Sequence, residues 1–353
     1  MNKFNSIFAV AFLAVTFTAC KKDSEPVVVV PPSDGSTLTL NGLIGAEAGP
    51  SAGNSVFVDF STDKQVSVDR TSWDLGFYNG DEYRVILNHS VGATAIALDK
   101  TDLNQVTAQD TITLATSAAL AIGQGAGGFS LVDAVEGSKA VYLSNTVIKE
   151  VSATDANNKV YIVNRGSSGV TGNRGWQKVR VLRAGNGYTL QYAKINETSF
   201  KTLTITKDSN YNFKAISFVN GAVNVEPQKS DWDIQWSLST YKASATIPYT
   251  FSDFVILNFL AGAQAAEVLT NTISYADFKE SNLATVTFKS ERDVIAGNWR
   301  ITSGTPLGVK TDRFYVVKDG SGNVYKLKFN SFISNDGGTR GKPVIEYKLI
   351  KQG

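Results

Sequence analysis

Ser72-Trp73-Asp74-Leu75-Gly76-Phe77 returns later in the chain as Asp231-Trp232-Asp233-Ile234-Gln235-Trp236. The sequence around this pair repeats too. Upstream, Thr37-Leu38-Thr39-Leu40 matches Thr202-Leu203-Thr204-Ile205. Downstream, Val85-Ile86-Leu87-Asn88 matches Val255-Ile256-Leu257-Asn258, and Gly-Ala follows each at 92–93 and 262–263. Tyr161-Ile162-Val163 then matches Tyr315-Val316-Val317, and Leu190-Gln191-Tyr192 matches Ile345-Glu346-Tyr347. The offsets are 165, 159, 170, 154 and 155 residues in one unbroken order, a scatter that loop insertions and deletions produce. The period is far longer than the ~20–50 residues of solenoid repeats, so the expectation is two tandem domains, 36–198 and 199–353.

Each copy reads as strands. Gln177 to Arg183 alternates Val179 and Val181 with Lys178 and Arg180, the period of two that gives a strand one apolar face. Asn186-Gly187 marks a tight turn, and Tyr188, Leu190 and Tyr192 alternate on the return, which completes a hairpin. In the second copy Tyr325, Leu327 and Phe329 alternate with Lys326 and Lys328 after the turn Asp319-Gly320-Ser321-Gly322-Asn323. Phe77-Tyr78, Asn79-Gly80 and Tyr83 to Leu87 form a further hairpin, whose counterpart runs longer through Tyr241 to Phe254. Helix signals are sparse; Ser274 to Asn282, with Ser274 as N-cap, is the one short helix expected. The fold class is all-β: two tandem, mostly antiparallel, β-sandwich-like domains.

The N-terminus supplies an address. Lys3 precedes an apolar run, Ile7 to Phe17, that is too short for a permanent bilayer span and reads as a signal peptide over 1–19. Phe17-Thr18-Ala19-Cys20 is a loose lipobox ending on the chain's one cysteine. Acyl chains such as palmitate on Cys20 would anchor the protein to a membrane, each buried methylene contributing about 0.8 kcal/mol. Residues 20–35, charged at Lys21-Lys22-Asp23 and proline-rich from Pro26 to Pro32, form a tether extending about 3.1 Å per residue. The charged run either resembles the signal that sends certain Gram-negative lipoproteins to the outer face of the outer membrane or is a solvated leader.

Composition closes off several functions. Formal net charge is +2, with no long basic block, so nucleic acid is not an implied partner. Without the signal, 353 − 19 = 334 residues remain, enough for large cores without disulfides. The chain holds one histidine, His89, and one methionine, Met1, which leaves with the signal. With the thiol committed to lipid, no catalytic set and no multidentate metal set can be assembled, and no catalytic or metal residue is assigned.

The individual candidates each have two readings. His89, at a strand end beside Asn88 and Ser90, is either a single axial ligand for a cofactor or a loop histidine bonded to its neighbours. Trp73 and Trp232 either line a slot for a flat ligand or pack in the core, and their repetition favours packing. Asp74 and Asp233 read as acceptors of backbone hydrogen bonds at a strand junction, or as water-facing side chains, rather than as catalytic carboxylates. Gly123-Gln124-Gly125-Ala126-Gly127-Gly128 matches a dinucleotide pattern but lacks a following helix, so a loop is expected. Asp319, Ser321 and Asn323 echo a calcium loop, yet Val324 stands at the glycine position, so a hairpin turn is expected.

Three stretches resemble the HmuY-like family of outer-membrane haem-binding lipoproteins. They are Val56-Phe57-Val58-Asp59-Phe60 leading to the Trp73 motif, the Arg84-Val85-Ile86-Leu87-Asn88 strand with its glycine loop, and Phe314-Tyr315-Val316-Val317, Asp319-Gly320 and Tyr325-Lys326-Leu327 with Gly341. The resemblance covers most of both copies. It implies an all-β fold, haem capture at the cell surface and delivery to an outer-membrane haem receptor. Members of that family grip iron between two histidines, and some relatives between two methionines. Here His89 is alone, its counterpart is Phe259, and no methionine survives processing. Haem or another porphyrin, held without paired axial ligands, is one expectation; a non-haem surface adhesion or interaction module for protein or glycan is the other.

Overall fold

A computed structural model describes residues 30–116, 120–123, 126–169 and 171–353. The signal peptide, Cys20 and the tether up to residue 29 lie outside the described residues. Among the described residues, eighteen strands of three or more residues form, all in antiparallel pairs. They are β1 (Gly35–Thr39), β2 (Asn54–Asp59), β3 (Lys64–Asp69), β4 (Leu75–Tyr78), β5 (Val85–Leu87), β6 (Thr94–Ala97), β7 (Val160–Asn164), β8 (Trp176–Arg183) and β9 (Gly187–Lys194). The second nine are β10 (Lys201–Thr206), β11 (Phe213–Ser217), β12 (Gly221–Val223), β13 (Ile234–Lys242), β14 (Pro248–Leu257), β15 (Gln264–Leu269), β16 (Arg313–Lys318), β17 (Val324–Ser331) and β18 (Val344–Lys351).

Two five-stranded sheets have the orders β1-β18-β17-β16-β15 and β10-β9-β8-β7-β6. Two four-stranded sheets have the orders β12-β11-β4-β5 and β3-β2-β13-β14. Strand n and strand n+9 therefore occupy equivalent places throughout. The all-β, antiparallel expectation holds.

The sheets do not divide at residue 198. β1 pairs with β18, Gly35 facing Lys348, and β10 pairs with β9, Gly187 facing Thr206. β2 lies against β13 and β11 against β4. The first three strands of each half thus complete the sheets of the other, and Pro32–Gly353 forms one compact unit. One set of sheets is built from residues 75–223 and the other from 35–69 with 234–351. The physical reason is that a strand needs only a complementary edge and a core to cover. Its periodicity does not record which edge it takes.

Local expectations hold with two shifts. The β8–β9 hairpin forms, but Gly185, at φ 53°, carries the positive φ rather than Gly187. Asp319 N–H donates to Asn323 O at 2.9 Å while Asp319 Oδ1 accepts from the Ser321 and Asn323 amides, closing a hairpin turn. Ser274 does cap, accepting the Asp277 amide at 3.1 Å, but only one turn follows; a 3₁₀ helix then runs over Glu280–Thr285. Two helices, α1 (Gln109–Thr116) and α2 (Lys139–Ser144), lie where no helix was expected. No helix among the described residues is long and apolar enough to cross a membrane.

Lys178 and Lys326, on the polar face of β8 and β17, are buried rather than solvated. Each caps loop carbonyls: Lys178 Nζ donates to Val106 O and Glu197 O, and Lys326 Nζ to Tyr275 O, Ala276 O and Phe278 O. An ammonium with three donors suits this, because it satisfies carbonyls that the crossing loops bury. The largest core fills the set built from 35–69 and 234–351, with Trp236, Trp299, Tyr325 and Tyr347, and reaches the other set through Trp73, Tyr78, Ile86 and Ala215.

Candidate functional site

Each Trp-Asp motif ends on a turn held by an asparagine. Asn88 Nδ2 donates to Arg70 O and Trp73 O, both at 2.8 Å; Asn258 Nδ2 donates to Lys229 O and Trp232 O, both at 2.8 Å. A single 3₁₀ turn follows in each case, His89–Val91 and Phe259–Ala261, closed by glycine in the left-handed conformation at Gly92 and Gly262. His89 and Phe259 are therefore delivered by equivalent scaffolds, and both line one small cavity between the two sets of sheets.

Other equivalent residues share that cavity: Trp73 with Trp232, and Ile86 with Ile256. The aromatic rings meet edge to face. His89 lies 6.1 Å from Trp73, Phe57 5.1 Å from Trp232 and Tyr142, from α2, 5.4 Å from Phe259. The tryptophans are thus both core residues and cavity lining. The indole N–H of Trp232 has no acceptor among the described residues. The space within it is about 70 Å³.

Arg292, Asp133 and Glu226, which the sequence did not single out, line cavities together with His89. Arg292 is 2% exposed, donating from Nη1 to Val135 O at 2.7 Å and from Nη2 to Ser239 Oγ at 2.9 Å. No carboxylate among the described residues lies within 4.0 Å of it. Its place follows from the repeat. Leu257 N–H donates to Arg292 O, whereas the equivalent Leu87 N–H donates to the Asp133 carboxylate at 2.6 Å. Burial pushes Asp133 up to about 6. Glu226 accepts the Phe213 amide at 2.5 Å, and desolvation pushes it up to about 8. Arg292 lies more than 200 positions from His89, so no local spacing signals the meeting; the His89–Phe259 correspondence alone pointed to the place.

His89 is held neutral. Desolvation, then the positive charges of Arg292 and Arg70, push its pKa well below the ordinary histidine value. Its Nδ1 lies 3.2 Å from Ser239 Oγ, and its carbonyl accepts from Thr240 Oγ1. Ser239 Oγ also reaches Thr240 O at 3.3 Å and accepts from Arg292 Nη2, and a ring proton on Nδ1 satisfies these contacts with the lone pair on Nε2. Nε2 has no hydrogen-bond partner among the described residues. A neutral imidazole fixed through one nitrogen, with the other free, is the arrangement a metal-ligating histidine uses.

The model of the family described as HmuY protein matches residues 51–347. The chain belongs to the HmuY family. A solved structure, a putative HmuY-like heme binding protein from Bacteroides vulgatus, is 11% identical, with coverage of 91% of this chain and 94% of that one. Its TM-score is 0.19. No curated protein matches the chain.

The remaining candidates fall away from the cavity. Asp74 and Asp233 accept backbone N–H groups at strand junctions, from Phe218 at 2.7 Å and Phe60 at 2.8 Å. Gly123 and Ala126 bridge one another in a short loop, with Gln124 and Gly125 outside the described residues, and only a 3₁₀ turn, Phe129–Leu131, follows. No cluster of three or more His, Cys, Asp or Glu side chains with metal-holding geometry occurs among the described residues.

Proposed function

We propose that this HmuY-family chain is a binding protein, not a catalyst, displayed on the outer membrane through a lipid on Cys20, which captures haem or another porphyrin with His89 as a lone imidazole. The observation that carries the reading is the state of His89: neutral, fixed at Nδ1, free at Nε2 and flanked by the aromatic cavity. Family membership supports haem as the ligand class, and delivery to an outer-membrane haem receptor follows from it. The equivalent places of strands n and n+9 support descent from two copies of one unit.

The fit is one-sided. Phe259 stands where a second ligand would be, and about 70 Å³ is well short of the ~300–1,000 Å³ of pockets that enclose ligands of drug size. A porphyrin reaching His89 must enlarge this space, which Phe259, Leu260, Val225 and Glu226 also line. This closure favours the second reading, a non-haem surface module that binds protein or glycan.

Haem titration of the full chain in detergent separates the two. The expected result is a Soret shift saturating at one equivalent and changed by His89→Ala. Phe259→His, which supplies an imidazole from the equivalent scaffold, is expected to tighten binding about tenfold, roughly 1.4 kcal/mol. No Soret shift at micromolar haem in either redox state would overturn the haem reading; a shift unchanged by His89→Ala would overturn the ligand assignment.

A further inference from the structure

β15 is the edge of its five-stranded sheet. Thr270 N–H, just past the strand, donates inward to Asp312 O at 2.8 Å, so by alternation the backbone groups of Ala265, Glu267 and Leu269 point outward. Ala265 exchanges both its bonds with Lys289 at 2.9 Å, and Leu269 O accepts from Thr272 N. Glu267 N–H and C=O and Leu269 N–H make no hydrogen bond among the described residues. The Lys289 segment touches this edge only at the one bridge.

Beside these free groups lies an open groove of about 950 Å³ between β15 and residues 285–287. Val141 and Leu269 reach into it, 46% and 41% exposed. Four carboxylates line it against one lysine, Lys289. Glu136 is paired with Lys242, and Glu267 with Arg313 at 3.1 Å. Glu291 and Asp293 have no cation within 4.0 Å among the described residues, and Glu291 Oε2 is buried without a partner.

An unpaired edge amide and carbonyl call for a strand, exposed aliphatic side chains for apolar contact, and uncompensated carboxylates for cations. We propose that this groove receives an extended segment of a partner protein by strand addition along β15, the segment alternating aliphatic residues with Lys or Arg that meet Glu291 and Asp293. This docking needs nothing from His89 and stands apart from porphyrin capture.

The test uses the full chain and the peptide acetyl-Lys-Val-Lys-Val-Lys-Val-Lys-amide, with the Glu-for-Lys peptide as control. The expected result is saturable binding in fluorescence anisotropy by the lysine peptide alone. Amide exchange at Glu267 and Leu269 should slow at least about tenfold on binding. Glu291→Lys, at a carboxylate that holds no other group, should weaken binding at least about tenfold. Equal binding of the two peptides, no binding of either, or binding with exchange at Glu267 and Leu269 unchanged would each overturn the proposal.

Discussion

Asp74 and Asp233 stand at the same junction in the two halves, and each accepts the amide of a phenylalanine just past an exchanged strand. Their electrostatics are opposite. Asp74 is paired with Arg165 at 2.9 Å and Arg174 at 2.8 Å, its side chain wholly buried. Asp233 has no cation within 4.0 Å among the described residues; desolvation, with Asp319 and Asp59 adding to it, raises its pKa well above the ordinary carboxyl value. The junction thus requires an acceptor oxygen and not a charge. The ion triad is an addition peculiar to the first half. Asn retains the acceptor in both places, so the two Asp→Asn substitutions separate the two roles. Asp74→Asn strands two buried guanidinium groups and should cost about 3–5 kcal/mol in chemical denaturation. Asp233→Asn keeps the acceptor for the Phe60 amide and strands no cation, and should cost less than about 1 kcal/mol. Equal losses would break the comparison.

The two glycines that close the 3₁₀ turns differ in surroundings rather than conformation. Gly92 and Gly262 have φ of 65° and 94°. A Cβ on Gly262 would meet nothing within 4 Å, whereas one on Gly92 would lie 2.7 Å from Thr250 Oγ1 and 3.3 Å from Ile122 Cδ1. Gly262→Ala should therefore cost only the left-handed backbone, roughly 1–2 kcal/mol. Gly92→Ala should cost more, because the long β13–β14 hairpin of the second half presses on the first-half turn. Adding Thr250→Ala to Gly92→Ala should return the loss towards the Gly262→Ala value. A double-mutant cycle showing no coupling would place the strain elsewhere.

These contrasts mark what the sequence disclosed. Period-two runs such as Val179/Val181 and Tyr325/Leu327 made the strands legible, because alternation is a local property of one segment. The ordered repeats made the equivalence of His89 and Phe259 legible. The exchange of β1 and β10 was not legible, because Gly35 meets Lys348 across 313 positions and the pattern of either strand fits several edges. The burial of Lys178 and Lys326 was hidden for a related reason: their alternation reads as a solvated face until distant loops cover it. Arg292, Asp133 and Glu226 left no signal, since each earns its environment only from segments far away in the chain.

The links into β4 and β13 supply the last contrast. After β3 the chain needs only residues 70–74; after β12 it takes residues 224–233, and this longer link brings Glu226 to the cavity. Folding therefore fixes a carboxyl that favours its proton in the second link alone. With the folded pKa near 8 and the ordinary value near 4.5, the folded chain holds a proton that the unfolded chain has released throughout that window. The contribution is fully present below the ordinary value and is lost as pH rises towards 8. The slope for one proton is at most about 1.4 kcal/mol per pH unit, and the partial exposure of Glu226 narrows the window over which it acts. Glu226→Gln keeps an acceptor for the Phe213 amide and cannot titrate. Urea denaturation at pH 5 and pH 8 should show the variant losing less stability between the two than the parent chain, with Asp133, near 6, leaving a residual fall in both. An identical fall in the two proteins would mean that Glu226 is ionised in the folded chain, and that the longer link delivers charge to the cavity instead of withholding it.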